Sequence, residues 1–172
     1  MTQPPIPFTI RKAVVKDIPT ILFLVEELAK YEKLHHEVKA TESLYQRYGF
    51  EGRPYFETLL AETNDQRAVG FALYFFTFST FEGRPTLYLE DIFVLPEFRQ
   101  RGIGKALFLE LINTAVKEDC GRMEWAVLNW NTPAIEFYES LGAAVMSEWS
   151  TFRLTRDKME DLLTRNHPEN DG

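Results

Sequence analysis

The stretch Leu89-Glu90-Asp91-Ile92-Phe93-Val94-Leu95-Pro96-Glu97-Phe98-Arg99-Gln100-Arg101-Gly102-Ile103-Gly104-Lys105-Ala106 runs a strand-like segment into a proline stop, an Arg/Gly turn and a helix start. Pro96 ends the strand because it has no N–H to give to a ladder. Beyond the turn, Gly104, Leu107, Phe108, Leu111, Ile112, Ala115 and Val116 recur at helical spacing and predict the clearest helix of the chain. A helix N-terminus presents unpaired N–H groups and about half a positive charge. Glycines let that backbone come close to an anion, so Gly102 and Gly104 point to a pyrophosphate cradle. Arg99, Arg101 and Lys105 add positive charge to it. Taken alone, the same residues also fit a glycine turn with a solvated basic face.

Two nucleotide motifs do not match. A P-loop needs Ser or Thr after its Gly-Lys pair, but Ala106 follows Lys105, and Arg99 stands where the earlier glycine belongs. A dinucleotide fingerprint needs a third Gly or Ala where Leu107 stands, together with a parallel βαβ unit. Neither ATP nor NAD is indicated.

Working outward, Thr58 to Glu62, Ala68 to Phe78 and Thr86 to Leu95 read as strands. The short turns between them predict an antiparallel meander. Upstream, Phe8 to Ala13 alternates as a half-buried strand. Asp17 is placed to cap a helix carrying Ile18, Ile21, Leu22, Val25, Leu28 and Ala29 that fades near Lys33. A shorter helix is expected from Thr41 to Tyr48, closed by Gly49 in the left-handed conformation. Downstream come a strand at Met123 to Leu128, a helix from Pro133 to Leu141 closed by Gly142, and one or two strands within Val145 to Leu154. The fold class is a mixed α/β domain around one sheet. It spans residues 8–165, between an unstructured proline-rich lead at 1–7 and a polar, loose tail at 166–172.

Composition narrows the function. The 172 residues fit one domain on a prior of about 100–200 residues per domain. The net charge of −7 argues against nucleic-acid binding and mildly favours a cationic partner. The single Cys120 excludes an internal disulfide framework and a multi-cysteine zinc site, which fits a reducing compartment. His35 and His36 are adjacent rather than at metal-ligand spacing, and no metal is expected. No apolar run approaches the roughly 20 residues that span a bilayer. The start lacks a basic-then-apolar leader, so the expected location is the cytoplasm.

Arg99-x-x-Gly102-x-Gly104 after an Asp-Ile-Phe-Val strand resembles the coenzyme A signature of the GCN5-related N-acetyltransferases (GNAT). The segments Leu24 to Glu32, Leu87-Tyr88-Leu89-Glu90-Asp91, Asn129-Trp130-Asn131 and Phe137-Tyr138 resemble the diamine (spermidine/spermine) acetyltransferase branch and its thialysine-acetylating relatives. The likeness runs from about Phe8 to Leu163. It implies the acyl-CoA N-acyltransferase fold, with a central, mostly antiparallel, splayed sheet flanked by helices, and acetyl-CoA as co-substrate. It further implies that the backbone of Ile92, Phe93 and Val94 pairs with the pantetheine arm. Arg99, Gln100, Arg101, Gly102, Ile103, Gly104 and Lys105 would hold the pyrophosphate, while Asn131 and Pro133 border the lower arm. Tyr138 would be general acid to the departing thiolate. Tyr31, Glu32, Glu90 and Asp91 would line the amine pocket, and a homodimer is expected.

These residue types suit the chemistry. An alkylammonium with a pKa of about 10.4 must lose a proton before it attacks a carbonyl. A carboxylate, Glu90 through a water, can accept that proton. In a regular strand Glu90 and Asp91 point to opposite faces, so only a bulge lets both see one pocket. Without the resemblance, Tyr138 reads as core on the stripe Ala134, Phe137, Tyr138, Leu141, and Glu90 and Asp91 as edge-protecting charges. Lys33-Leu34-His35-His36-Glu37 stands where polyamine acetylators carry an acidic loop, which favours a small amine or amino-acid side chain over a long polycation. Two other readings stay open: a protein-lysine acetyltransferase, and an acyl-CoA sensor without turnover.

Overall fold

The computed structural model describes residues 6–166. It divides into two compact units, Met1–Ala126 and Val127–Gly172. In the first, β1 (Phe8–Lys12), β2 (Glu57–Thr63), β3 (Ala68–Ser79), β4 (Arg84–Val94) and β5 (Arg122–Trp125) form one five-stranded sheet in the order β1-β2-β3-β4-β5. The first four strands are antiparallel neighbours, and β5 joins β4 in parallel. Helices α1 (Ile18–Tyr31), α2 (Glu42–Tyr45) and α3 (Ile103–Lys117) belong to this unit. The second unit holds α4 (Thr132–Ser140) and α5 (Arg156–Asn166). No helix was expected at α5 from the sequence.

Every residue from Val69 to Tyr74 is buried. Successive strand side chains point to opposite faces, so an unbroken buried run means that both faces of β3 are covered. Ile21 and Leu24 of α1 and Leu107 and Leu111 of α3 are likewise fully buried.

Several expectations need correction. Ile112 and Val116 are 36% and 73% exposed, so the buried stripe of α3 narrows to Leu107, Phe108, Leu111 and Ala115. The two excluded residues lie one further step of about 100° around the helix. Asp17 does not cap α1 with its side chain. Its carboxylate accepts the Val14 N–H at 2.8 Å and two N–H groups of Arg11 at 2.6 and 3.0 Å. Arg11 also donates to Glu62 at 2.8 and 2.5 Å, tying the start of α1 to β1 and β2. Helix α1 stops at Tyr31 because Lys33 turns left-handed (φ 62°) and the Leu34 N–H returns to the Ala29 carbonyl.

Gly49 is not a left-handed closure. It lies in a π-helical turn, Gln46–Phe50, that continues α2, and a Cβ there would meet Phe56 Cζ at 2.4 Å. The residue is small because a ring occupies its space. Val145 to Leu154 forms no strand, and Val145, Met146, Trp149, Phe152 and Leu154 are all exposed. A strand needs a neighbour to accept and donate its ladder bonds, and none of the strand pairings among the described residues includes this segment. The unstructured lead and loose tail lie mostly outside the described residues. Of the lead, residues 6 and 7 are described and carry no helix or strand; of the tail, Asn166 is described, as the last residue of α5.

Candidate active site

Strand β4 changes character at Glu90. Leu89 pairs with Tyr74 and Asp91 with Leu73, which leaves Glu90 as the extra residue of a β-bulge. The bulge suspends strict alternation, the condition under which adjacent carboxylates can serve one pocket. Glu90 is exposed and Asp91 half-buried. Burial, then the charges of Glu90 and Glu32, push the Asp91 carboxyl up to about 7. Glu32, at the C-cap of α1, is also raised by burial. The Tyr45 phenol of α2 is pushed up to about 12, first by burial and then by the Asp91 and Glu90 charges. Asp91 thus lies within electrostatic reach of Glu32, Glu90 and Tyr45.

Nothing in the sequence pattern singles out Tyr45. It stands one helical turn after Thr41, in a segment that also carries Tyr48, and no local signal separates the two. Its ring packs edge-on against Phe56 at 5.2 Å, and Phe56 in turn meets Phe50.

Downstream of the bulge, β5 pairs only with Thr86–Leu89. On that side Ile92, Phe93 and Val94 have no strand neighbour among the described residues. The sheet therefore opens at the segment expected to meet a pantetheine arm, and the chain leads from there into the turn. Gln100 (φ 61°) and Gly102 (φ 84°) are both left-handed, curling the backbone so that α3 begins at Ile103. Ile103 is 1% exposed and anchors the helix start. A Cβ on Gly104 would have only Val94 Cγ2 nearby, at 3.7 Å. The first turn of α3 holds no acidic residue. Gln100 and Lys105 are exposed, and Arg101 is half-buried. Left-handed turn, free helix N–H groups and flanking cations together fit a diphosphate.

Arg99 acts differently from its basic neighbours. Its Nε donates to the Val94 carbonyl at 2.9 Å, and its guanidinium lies 4.4 Å from the Tyr31 ring centre and 5.2 Å from that of Phe93. Arg99 thus props the turn against β4 and the end of α1. Tyr31 is half of that support, with its ring 6.3 Å from Phe93.

In the second unit, Asn131 is the N-cap residue of α4 and Pro133 occupies its first turn. Tyr138 is buried, its ring 5.3 Å from Phe137, and burial pushes its phenol up to about 12. Gly142 (φ 90°) closes α4, and the Ala143 N–H returns to the Tyr138 carbonyl. Cys120 is half-buried, with a thiol raised by burial, which suits a bystander rather than a nucleophile. Among the described residues, no group of acidic, His or Cys side chains has metal-site geometry, and no helix is long and apolar enough to cross a membrane.

Comparison with known proteins identifies the class. The acetyltransferase (GNAT) family model matches residues 22–143. The chain is 37% identical over 166 residues to the thialysine N-epsilon-acetyltransferase of Mus musculus, covering 91% of this chain and 97% of that one. It is also 37% identical over 164 residues to the human spermidine/spermine N(1)-acetyltransferase-like protein 1, covering 90% of this chain and 24% of that longer protein. Among solved structures, an integron cassette protein from the mobile metagenome of V. cholerae superposes with a TM-score of 0.74 at 24% identity, covering 91% of this chain and 97% of that one. The chain belongs to the GNAT acetyltransferase family. It is an N-acetyltransferase, with acetyl-CoA the co-substrate of its family.

Proposed function

We propose that this N-acetyltransferase moves an acetyl group directly to the primary amine of a small cationic substrate, with a thialysine- or lysine-like side chain preferred over a polyamine. One observation carries the reading. Asp91, in the field of Glu32 and Glu90, sits at a bulge whose strand leads into the left-handed turn that opens α3. Similarity to a thialysine acetyltransferase supports the amino-acid side of the choice. So does the absence of an acidic run between Lys33 and Glu37.

Gln100 to Lys105 hold the diphosphate and Arg99 keeps their turn in place. The open edge of Ile92, Phe93 and Val94 receives the pantetheine arm, and an N–H there polarises the acetyl carbonyl. Asn131 and Pro133 border the lower cofactor arm. Acetyl-CoA, when bound, supplies the thioester. Glu90 and Asp91 attract the ammonium, and Glu90, through a water, accepts its proton. Asp91, whose proton affinity already lies near neutrality, shares that load. Tyr138 stays protonated far above neutral pH and donates its proton to the thiolate. The chain works as one catalytic domain, as a homodimer, in the cytoplasm; the family match across residues 22–143 supports the first of these and the lone Cys120 the last.

The test is free-thiol release from acetyl-CoA in the presence of thialysine, lysine, diamines or spermidine. Release that requires an amine, fastest with thialysine or lysine, supports the reading. Cofactor binding without release on any amine would overturn it in favour of a sensor.

A further inference from the structure

The family resemblance implies that Tyr31 lines the amine pocket, yet the contacts of its ring lead to the other substrate. The Arg99 guanidinium lies 4.4 Å from the centre of that ring and 5.2 Å from the centre of the Phe93 ring. Phe93 is buried, and the Arg99 Nε donates to the Val94 carbonyl at 2.9 Å. One cation is thus held by two rings and a carbonyl, immediately before Gln100 turns left-handed (φ 61°). A residue with a side chain disfavours that conformation and keeps it only where its surroundings enforce it. Tyr31 itself is fixed from behind. It is the last residue of α1, whose end is closed by the Leu34 N–H returning to the Ala29 carbonyl at 2.8 Å, and Leu28 and Ala29 are buried.

The kind of support matters as much as its presence. No carboxylate among the described residues forms an ion pair with Arg99. Aromatic faces hold a guanidinium without cancelling its charge, whereas a carboxylate would do both. The cation therefore stays uncompensated at the entry to a turn that has to attract an anion.

We propose that Tyr31 is a positioning residue for acetyl-CoA: its ring, acting through Arg99, holds the turn that opens α3 in the shape that receives the diphosphate. This deepens the cofactor part of the proposed function and rests on it. A turn that is already shaped pays less ordering cost when the cofactor arrives.

The experiment is titration calorimetry with CoA, and with thialysine at saturating CoA, on wild type, Tyr31→Leu, Tyr31→Phe, Arg99→Met and the Tyr31→Leu/Arg99→Met double variant. Tyr31→Leu should raise the CoA Kd about fivefold, the worth of one cation–π contact, while the thialysine Kd stays within about twofold. Tyr31→Phe keeps the ring and drops the hydroxyl, so it should restore CoA affinity. With Arg99 replaced by Met, Tyr31→Leu should cost CoA nothing more. A role in packing alone would weaken both ligands and persist without Arg99. The inference is overturned if Tyr31→Leu binds CoA as wild type does, if its cost is the same in the Arg99→Met background, or if the Tyr31 variants weaken thialysine and leave CoA alone. Should Tyr31→Leu not fold, Tyr31→Met, unbranched and longer, is read by the same outcomes. Wild type that binds no CoA would overturn the functional reading itself, and the CoA titrations decide the inference whichever amine the enzyme prefers.

Discussion

Asp91 carries an electrostatic burden that the folded chain tolerates for the sake of its site. With its carboxyl raised from 3.8 to about 7, the native protein holds a proton that the unfolded chain releases. Its contribution to stability is neutral below about pH 4 and turns increasingly unfavourable as pH rises to 7, beyond which it is constant. Asp91→Asn should therefore stabilise the protein by ~2 kcal/mol at pH 8 and hardly at all at pH 4. Denaturant melts at the two pH values check this, and equal shifts would show that Asp91 is not desolvated in solution. The same substitution should depress amine turnover, because the site loses an acceptor. Tyr138 is the converse case: burial keeps a proton on the group proposed to donate one. Tyr138→Phe should cut kcat about 100-fold with little change in the acetyl-CoA KM. Unchanged turnover would remove Tyr138 from the acid role.

At the scale of elements, the cradle depends on one backbone conformation. Gly102 sits at φ 84°, and a Cβ added to it would find nothing within 4 Å, so an alanine there meets no steric neighbour and costs only conformational strain, about 1 kcal/mol. Gly102→Ala should weaken CoA binding severalfold in titration calorimetry while leaving amine affinity alone; losing both equally would deny the turn a cofactor-specific role. The turn and the helix start were legible from residues 89–106 because glycine, proline and helical period are local signals. The meander was legible for the same reason: β2, β3 and β4 fall within a residue or two of their expected ends. Other features depend on partners distant in sequence. Gly49 looked like a helix stop, but Phe56 decides its role. Asp17 looked like a helix cap, but Arg11 and the neighbouring backbone claim its oxygens. The apolar run from Val145 to Leu154 has strand composition, and composition cannot supply a strand with a neighbour. Within the site, Glu90, Asp91 and Glu32 were read from resemblance and the bulge from their adjacency.

At the scale of the whole molecule, a net charge of −7 acts in opposite senses on the two substrates. The summed field draws a cationic amine toward the protein and resists the polyphosphate cofactor, which the proposed cradle at the start of α3 would hold at short range. Salt separates these effects. Raising ionic strength from about 10 to about 150 mM shortens the screening length from roughly 30 to roughly 8 Å. The kcat/KM for a singly cationic amine should then fall severalfold, and that for spermidine, with more positive charge to steer, should fall further. The acetyl-CoA KM, set by hydrogen bonds at close range and opposed by the distant field, should hold steady or improve. Initial rates across a salt series with each substrate varied in turn would test this. A parallel loss for both substrates would mean that the acidic surface steers neither, and that the amine's attraction is confined to Glu32, Glu90 and Asp91.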